Sequence, residues 1–287
     1  MRRPVPDTVT LAAGQRVLSA VEFDVVWDGL GLGLTPVVLN LASPGRTHAE
    51  RRRIEADGWT TLRQRGLAGQ NGLEPDLERL LRLLATSSVR LELRAWWPGP
   101  IRAVAAERGD DVVLMRRTND AVVLEPCTSL AAVVGVLPPG TAGPGRAANL
   151  PTAELVAALR RPSGAGLRAD LVERGVTPPE AGLASRMLDG VDRRAQIDAV
   201  AADRWAAPQR WGGGIGVLEG PRGRYLTTRS RADHGTVWTT IAPMDDRRLR
   251  QRVAELVDEV RAGRTQSRSP WRISCRPDSV IEPDSEG

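Results

Sequence analysis

The feature that most constrains the fold is a switch of hydrophobic period from 3.6 to 2 near residue 89. Residues 89–95 alternate apolar and charged side chains, which is typical of a strand with one buried and one solvated face. Short turn signals at 98–100, 108–111 and 118–120 then separate further apolar runs. Because loops this short join antiparallel neighbours, the pattern predicts a four-stranded meander. An apolar stripe within residues 130–137 predicts a closing helix.

The same order of elements recurs about 112 residues later. Strands are predicted near 195–201, 215–219, 222–229 and 237–241, followed by a helix from Met244 to Gly263. Glu107 to Leu114 aligns with Glu219 to Leu226, although few residues are identical. A structural duplication would give a pseudo-twofold α+β molecule whose strands merge into one or two sheets flanked by helical bundles. Coincidence between two common meanders is the alternative.

The helices before each meander carry recognisable start signals. Ser19 with Glu22 and Thr47 with Glu50 each form a predicted capping box, and Pro75 suits the first position of a third helix. Residues 37–41 are predicted to be a short buried strand. In the second half, helices are predicted at 151–160, 170–174 and 180–188. We expect one domain over 9–262 with halves of about 9–140 and 149–262, a Gly/Pro/Ala linker at 140–148, and a mobile tail at 263–287.

The charge composition gives only weak support for nucleic-acid binding. All 40 cationic residues are arginine, lysine is absent, and the net charge is +5. Together with abundant Ala, Gly, Pro and Val, this indicates a GC-rich coding genome rather than selection for a basic surface. The arginine runs 51–53 and 247–248 are predicted to lie on solvated helix faces. Without an apolar run of about 18 residues or a signal sequence, we expect no membrane insertion and a cytoplasmic location.

Motifs for catalysis, metals or cofactors are missing from the sequence. The absence of lysine excludes Walker A loops and Schiff-base chemistry. The glycine run 212–216 precedes a predicted strand rather than a helix, so a hairpin entry or bulge is favoured over a phosphate cradle. Two histidines, His48 and His234, and two cysteines, Cys127 and Cys275, do not match a zinc site. The sequence therefore predicts neither an enzyme nor a metal or cofactor site.

Eight tryptophans, against one Tyr and one Phe, are unusual. Trp27, Trp59 and Trp238 fit buried stripes. The pair 96–97 and Trp211 instead lie at strand ends, where they could fill the edge of the sheet or anchor a partner.

At this point the chain resembles the EspG family, the cytosolic chaperones of actinobacterial type VII (ESX) secretion systems. The likeness covers roughly residues 9–262 and rests on short motifs in the family's order. These motifs are Val21-Glu22-Phe23-Asp24-Val25-Val26-Trp27 leading into Gly29-Leu30-Gly31, Ser43-Pro44-Gly45, Arg63-Gln64-Arg65-Gly66-Leu67, Asp203-Arg204-Trp205, Pro221-Arg222-Gly223-Arg224-Tyr225-Leu226 and Val237-Trp238-Thr239-Thr240-Ile241-Ala242-Pro243.

The resemblance implies a pseudo-twofold α+β protein with a central antiparallel sheet, two helical bundles and no enzymatic activity. It also implies binding to the hydrophobic tip of a PPE protein within a PE–PPE heterodimer, through the central sheet, its loops and the C-terminal helical region. No short motif marks the contacts. We place them at Trp96, Trp97, Ile101, Arg102, Trp211, Arg224, Leu226, Arg248 and Arg252, with the second half facing the partner.

Three points stay open from the sequence. The tail after Gly263 has no counterpart in the resemblance, so the partner could be a PE–PPE pair or a related ESX substrate. The free protein could form a homodimer. The alternative function is that of an arginine-rich nucleic-acid-binding protein, which would show salt-dependent binding.

Overall fold

A computed structural model of the chain describes residues 14–118, 120–160, 166–202, 208–232 and 235–265. The N-terminal segment, the motif at 203–205, His234, Cys275 and the part of the tail beyond residue 265 lie outside the described residues.

The described residues form twelve strands, seven α-helices and two 3-10 helices. The strands are β1 Arg16–Ser19, β2 Ala68–Gly69, β3 Gly72–Leu73, β4 Val89–Trp96, β5 Pro100–Arg108, β6 Asp111–Thr118, β7 Ala121–Cys127, β8 Ala148–Pro151, β9 Arg193–Ala202, β10 Pro208–Gly220, β11 Gly223–Arg231 and β12 Val237–Pro243. The helices are α1 Ala20–Gly29, α2 His48–Gln64, α3 Pro75–Ala85, α4 Thr152–Arg160, α5 Leu167–Glu173, α6 Pro178–Leu188 and α7 Asp246–Thr265, with 3-10 helices η1 Val37–Leu39 and η2 Leu130–Val136.

Ten strands make one antiparallel sheet in the order β1-β7-β6-β5-β4-β9-β10-β11-β12-β8. The two predicted meanders meet at the β4–β9 pair, where Glu92 lies opposite Asp198. From one edge the order is the short strand β1 followed by the first meander in reverse, β7 to β4. From the other edge it is the short strand β8 followed by the second meander in reverse, β12 to β9. The two halves of the sheet therefore have the same topology. The predicted α+β fold with a large central antiparallel sheet is confirmed; a true pseudo-twofold duplication stays our proposal.

The two faces of the sheet are covered differently. One face carries the first bundle (α1 to α3) over Phe23, Leu81 and Met115, and the second bundle (α4 to α6) over Tyr225 and Ile241. We call this the bundle face. The registers place Val104, Glu92, Asp198 and Leu218 on it. The opposite face is covered by η2 and α7, which bury the main core of the molecule.

The helix starts follow the predicted capping chemistry with one exception. Ser19 and Glu22 form a complete capping box, and Pro75 occupies the first turn of α3. At α2, Thr47 accepts from the Glu50 amide. The Glu50 carboxylate, however, accepts from the amide of Arg46, 2.9 Å away, so the second predicted box is only half formed.

The segment predicted as a strand at 37–41 is instead a 3-10 turn, and that prediction was wrong. Asn40 adopts a left-handed conformation with φ of 47°, which ends extended structure. Val38 and Leu39 are buried, but Val37 is 87% exposed. Three consecutive apolar residues therefore did not distinguish a strand from a tight turn with a partly buried side.

Other boundaries also differ from expectation. Short edge strands β1 and β8 were not predicted, and β8 takes Ala148 out of the proposed linker. The closing element after β7 is a 3-10 helix, and α7 continues to Thr265 rather than ending at Gly263. Arg51 is not solvated as predicted: it bonds Asp24 and lies 2.9 Å from the carboxylate of Asp28.

None of the helices in the described residues is long and apolar enough to cross a membrane.

Candidate protein-binding surface

The residues placed at the partner surface by sequence are distributed over both faces of the sheet. Trp96, at the end of β4, lies on the bundle face and is 50% exposed. Arg102 lies on the same face, across from Arg94. By contrast, four apolar residues pack against the core under η2 and α7: Trp97, Ile101, Trp211 and Leu226. Trp96 and Arg102 are therefore the two predicted residues that the structure brings together on an accessible sheet face.

Arg224 is fully buried, so we do not keep it in a partner surface. Its guanidinium bonds the Glu219 carboxylate at 2.7 Å and Asp246 at 2.5 Å. It also donates to the Pro138 carbonyl oxygen, 2.7 Å away, and lies 5.3 Å from the ring centroid of Trp97. A buried arginine is stable only when its donors are matched in this way. Arg224 therefore connects β10, α7, the linker and the β4–β5 hairpin inside the protein.

The linker at 140–147 is built around Arg224 and Tyr225. Arg224 donates its amide to the Thr141 carbonyl at 2.8 Å, and Gly143 donates to the Arg224 carbonyl at 3.1 Å. A Cβ on Gly140 would overlap the guanidinium, and one on Gly143 would overlap the tyrosine ring. The sequence motif at 221–226 is thus explained by packing of the connection between the two halves, in which Tyr225 is buried.

Arg248 and Arg252 lie on α7, across the sheet from Trp96. Arg248 is exposed, whereas the Arg252 guanidinium lies 2.9 Å from Glu259 and 3.5 Å from Glu255 on the same helix. These two arginines and the Trp96–Arg102 pair therefore belong to different surfaces.

Between the two bundles, the central strands present a polar strip that sequence reasoning did not assign. Asp198 is its centre: it bonds Arg94, accepts from the Gln196 amide at 3.1 Å, and lies 3.7 Å from Arg210. Beside it, Arg90 and Glu92 pair at 2.9 Å. The alternation of charged residues at 90, 92 and 94 was the available signal. What it could not show was that Asp198 lies on the neighbouring strand.

The glycine run at 212–216 lies inside β10 and shifts its register against β9 between Trp211 and Ile215. Of the two predicted alternatives, a hairpin entry or a bulge, the structure shows the bulge, and the run makes no turn into a helix. Trp211 pairs with Ala199 and faces the η2 and α7 side.

The described residues contain no cluster of three or more His, Cys, Asp or Glu side chains suited to a metal ion. Cys127 is half-buried, and desolvation raises the pKa of its thiol above the ordinary value, with Glu125 adding to this and a bond to Ser129 opposing it. A raised pKa disfavours the reactive thiolate.

Comparisons with known proteins agree with this architecture. Residues 19–255 match the model of the EspG family. Among solved structures, the chain is similar to the type VII secretion system chaperone EspG5 of Mycobacterium tuberculosis, determined in complex with a PE25–PPE41 dimer. The TM-score is 0.67 at 15% sequence identity, over 85% of this chain and 96% of that chain. No curated protein sequence gives a significant match.

Proposed function

Because the chain belongs to the EspG family, we propose that it is a cytoplasmic chaperone that binds a PE–PPE-type substrate of a type VII (ESX) secretion system. The substrate would stay soluble in this complex until export. The family match over residues 19–255 is the observation that carries the proposal, and the fold shared with a solved chaperone supports it.

We place the partner on the bundle face, around Trp96 and Arg102 of the first half, rather than mainly on the second half as the sequence led us to expect. Tryptophan and arginine are the residues most enriched at the energetic centres of interfaces, and Trp96 is 50% exposed. A standard interface needs about 800 Å² per partner, so strands beyond these two residues would also have to take part. A role of this kind requires a surface rather than a catalytic site, and we propose no enzymatic activity. A related ESX substrate in place of a PE–PPE pair would fit the same surface.

Co-expression with the PE–PPE pair encoded nearest to the gene tests the proposal. We expect a soluble complex that elutes as one species in size-exclusion chromatography at micromolar concentration. The elution volume of the chain run alone shows whether the free protein dimerises. An insoluble pair, with the chain eluting alone, would refute the chaperone role.

A further inference from the structure

The bundle face carries a row of polar side chains at the centre of the sheet. In this row Arg102, Arg94 and Gln196 are consecutive cross-strand neighbours on β5, β4 and β9. Gly216 and Thr227 continue it on β10 and β11. Adjacent strands are about 4.8 Å apart, so the five positions extend over about 19 Å across the sheet. The next row toward the β4–β5 turn contains Trp96 opposite Arg194.

The charges of this region are not balanced internally. Arg94 and Arg210 both contact Asp198, and Arg90 contacts Glu92. Three further arginines have no carboxylate partner among the described residues: Arg102, Arg194 and Arg229. The strip therefore keeps an excess of positive charge, and guanidinium groups prefer to satisfy carboxylates with two parallel hydrogen bonds.

Two glycines of β10 are required by the packing of polar side chains in the strip. A Cβ on Gly216 would overlap the hydroxyl of Thr227, and one on Gly214 would overlap the Gln196 amide and the Asp198 carboxylate. The two glycines therefore make room for the polar side chains of Thr227, Gln196 and Asp198 on this face.

Exposed apolar groups adjoin the arginines. The turn η1 packs against β4 and β5, where Arg117 donates to the Leu39 carbonyl at 3.1 Å. From this loop Leu34 is 97% exposed and Val37 is 87% exposed. Together with Trp96 they add apolar contact area to the cationic strip. Large apolar side chains left in water often mark interaction sites.

From these features we infer that the strip binds a protein segment in which acidic residues flank an apolar tip. We name it the central trough and define it by Trp96, Arg102, Arg194, Gln196, Gly216 and Arg229. The inference rests on the proposed function, because it specifies the chemistry of the partner at the same face. Carboxylates of the segment would pair with Arg102, Arg194 and Arg229, while its apolar tip would lie against Trp96.

The test measures affinity for the purified PE–PPE pair by isothermal titration at 50 and 300 mM salt. The double variant Arg102→Glu/Arg194→Glu is compared with Arg53→Glu/Arg250→Glu, which carries the same charge change on exposed arginines of α2 and α7. We expect the trough variant to lose about 100-fold or more in affinity at 50 mM salt, since like charges that face each other across an interface strongly oppose binding. The control variant should stay within about threefold.

The possible outcomes distinguish a failure of the proposed function from a failure of the central trough. No binding by the unmodified chain would refute the proposed function itself. Binding that Arg102→Glu/Arg194→Glu leaves as tight as the control would overturn the trough while the chaperone role stands. If circular dichroism shows that the charge reversal unfolds the chain, Arg102→Gln/Arg194→Gln replaces it, with about a tenfold loss expected. A trough-dependent affinity for a 20-nucleotide single-stranded DNA that exceeds the affinity for the protein pair would also overturn it.

Discussion

The hairpins β5–β6 and β10–β11 occupy equivalent places in the two halves, and each turns beside a glutamate. The last paired positions are Arg108 with Asp111 in the first hairpin and Gly220 with Gly223 in the second. Glu107 and Glu219 therefore stand one residue before the turn in both. The difference lies across the strand: Glu107 faces Val112, whereas Glu219 faces Arg224.

This single difference changes what each hairpin holds. Val112 is part of the apolar core, and Glu107 bonds Arg261 near the end of α7 at 2.7 Å. In the second half, Arg224 joins Glu219 to Asp246 at the start of α7. Equivalent glutamates thus fix the two ends of one helix. Only the second hairpin also holds the linker, because only it has a buried cation there.

The largest loss of stability is expected when the buried cation Arg224 is replaced. Arg224→Met removes the buried guanidinium that Glu219 and Asp246 share, although Glu219 keeps its bond to Arg193 at 3.1 Å. We expect the free energy of unfolding to fall by about 3–5 kcal/mol. Urea denaturation measures this. Val112→Met at the equivalent position only enlarges an apolar side chain of the core and should cost less, about 1–3 kcal/mol. Equal losses at both positions would mean that Arg224 contributes only packing volume.

The linker glycines should show the next largest effect. Gly143→Ala places a methyl group against the Tyr225 ring, and overpacking of this kind costs about 1–3 kcal/mol. Gly135→Ala in η2 is the matched control, since a Cβ there meets no atom within 4 Å. Differential scanning calorimetry of both variants tests this. A similar Tm for the two would show that the linker is not held against the second hairpin.

The two glutamates should differ in their contribution to stability. Glu219→Gln weakens a bond to the fully buried Arg224 and should cost about 1.5–3 kcal/mol. Glu107→Gln weakens a bond to Arg261, whose side chain is 53% exposed, so the loss should stay within about 1 kcal/mol. Equilibrium unfolding of both variants at pH 7 provides the measurement. A larger loss at Glu107 would contradict the ranking.

The smallest effect concerns the edge strands at acid pH. Glu74 at the start of α3 accepts from Arg16 of β1 at 2.6 and 2.9 Å, and this bond, opposed by desolvation, lowers the pKa of Glu74 below its ordinary value of 4.5. A group whose pKa is lowered by folding stabilises the native state above 4.5 and loses that contribution as pH falls through the folded value.

Glu180 of α6 is the counterpart in the second half. Desolvation raises its pKa, but bonds from the Asn149 amide on β8 and from Arg146 outweigh this and lower it. Glu74→Gln and Glu180→Gln should therefore each reduce the loss of stability between about pH 5 and 3. Thermal melts across this range are the measurement. If Tm depends on pH in both variants as it does in the unmodified chain, these two carboxylates do not cause the loss of stability in acid.

Most local elements of this protein follow from short stretches of its sequence. The Ser19–Glu22 capping box, Pro75 at a helix start and the alternation at 89–95 each depend on residues within a few positions of one another. Such interactions follow from backbone geometry and side-chain reach, so the meanders and most helices could be predicted. The same locality explains the error at 37–41, where a short apolar run fits more than one conformation.

Tertiary structure alone decided what the polar residues do. Arg224 was predicted to face a partner because the family resemblance implies binding through the central sheet. Its guanidinium instead bonds Pro138, 86 residues earlier, and Asp246, 22 residues later, as well as the nearby Glu219. Arg94 and Asp198 meet across 104 residues. Because the partner of a charge is set by which strands become neighbours, sequence spacing could not show that one arginine is buried and that others remain open to a ligand.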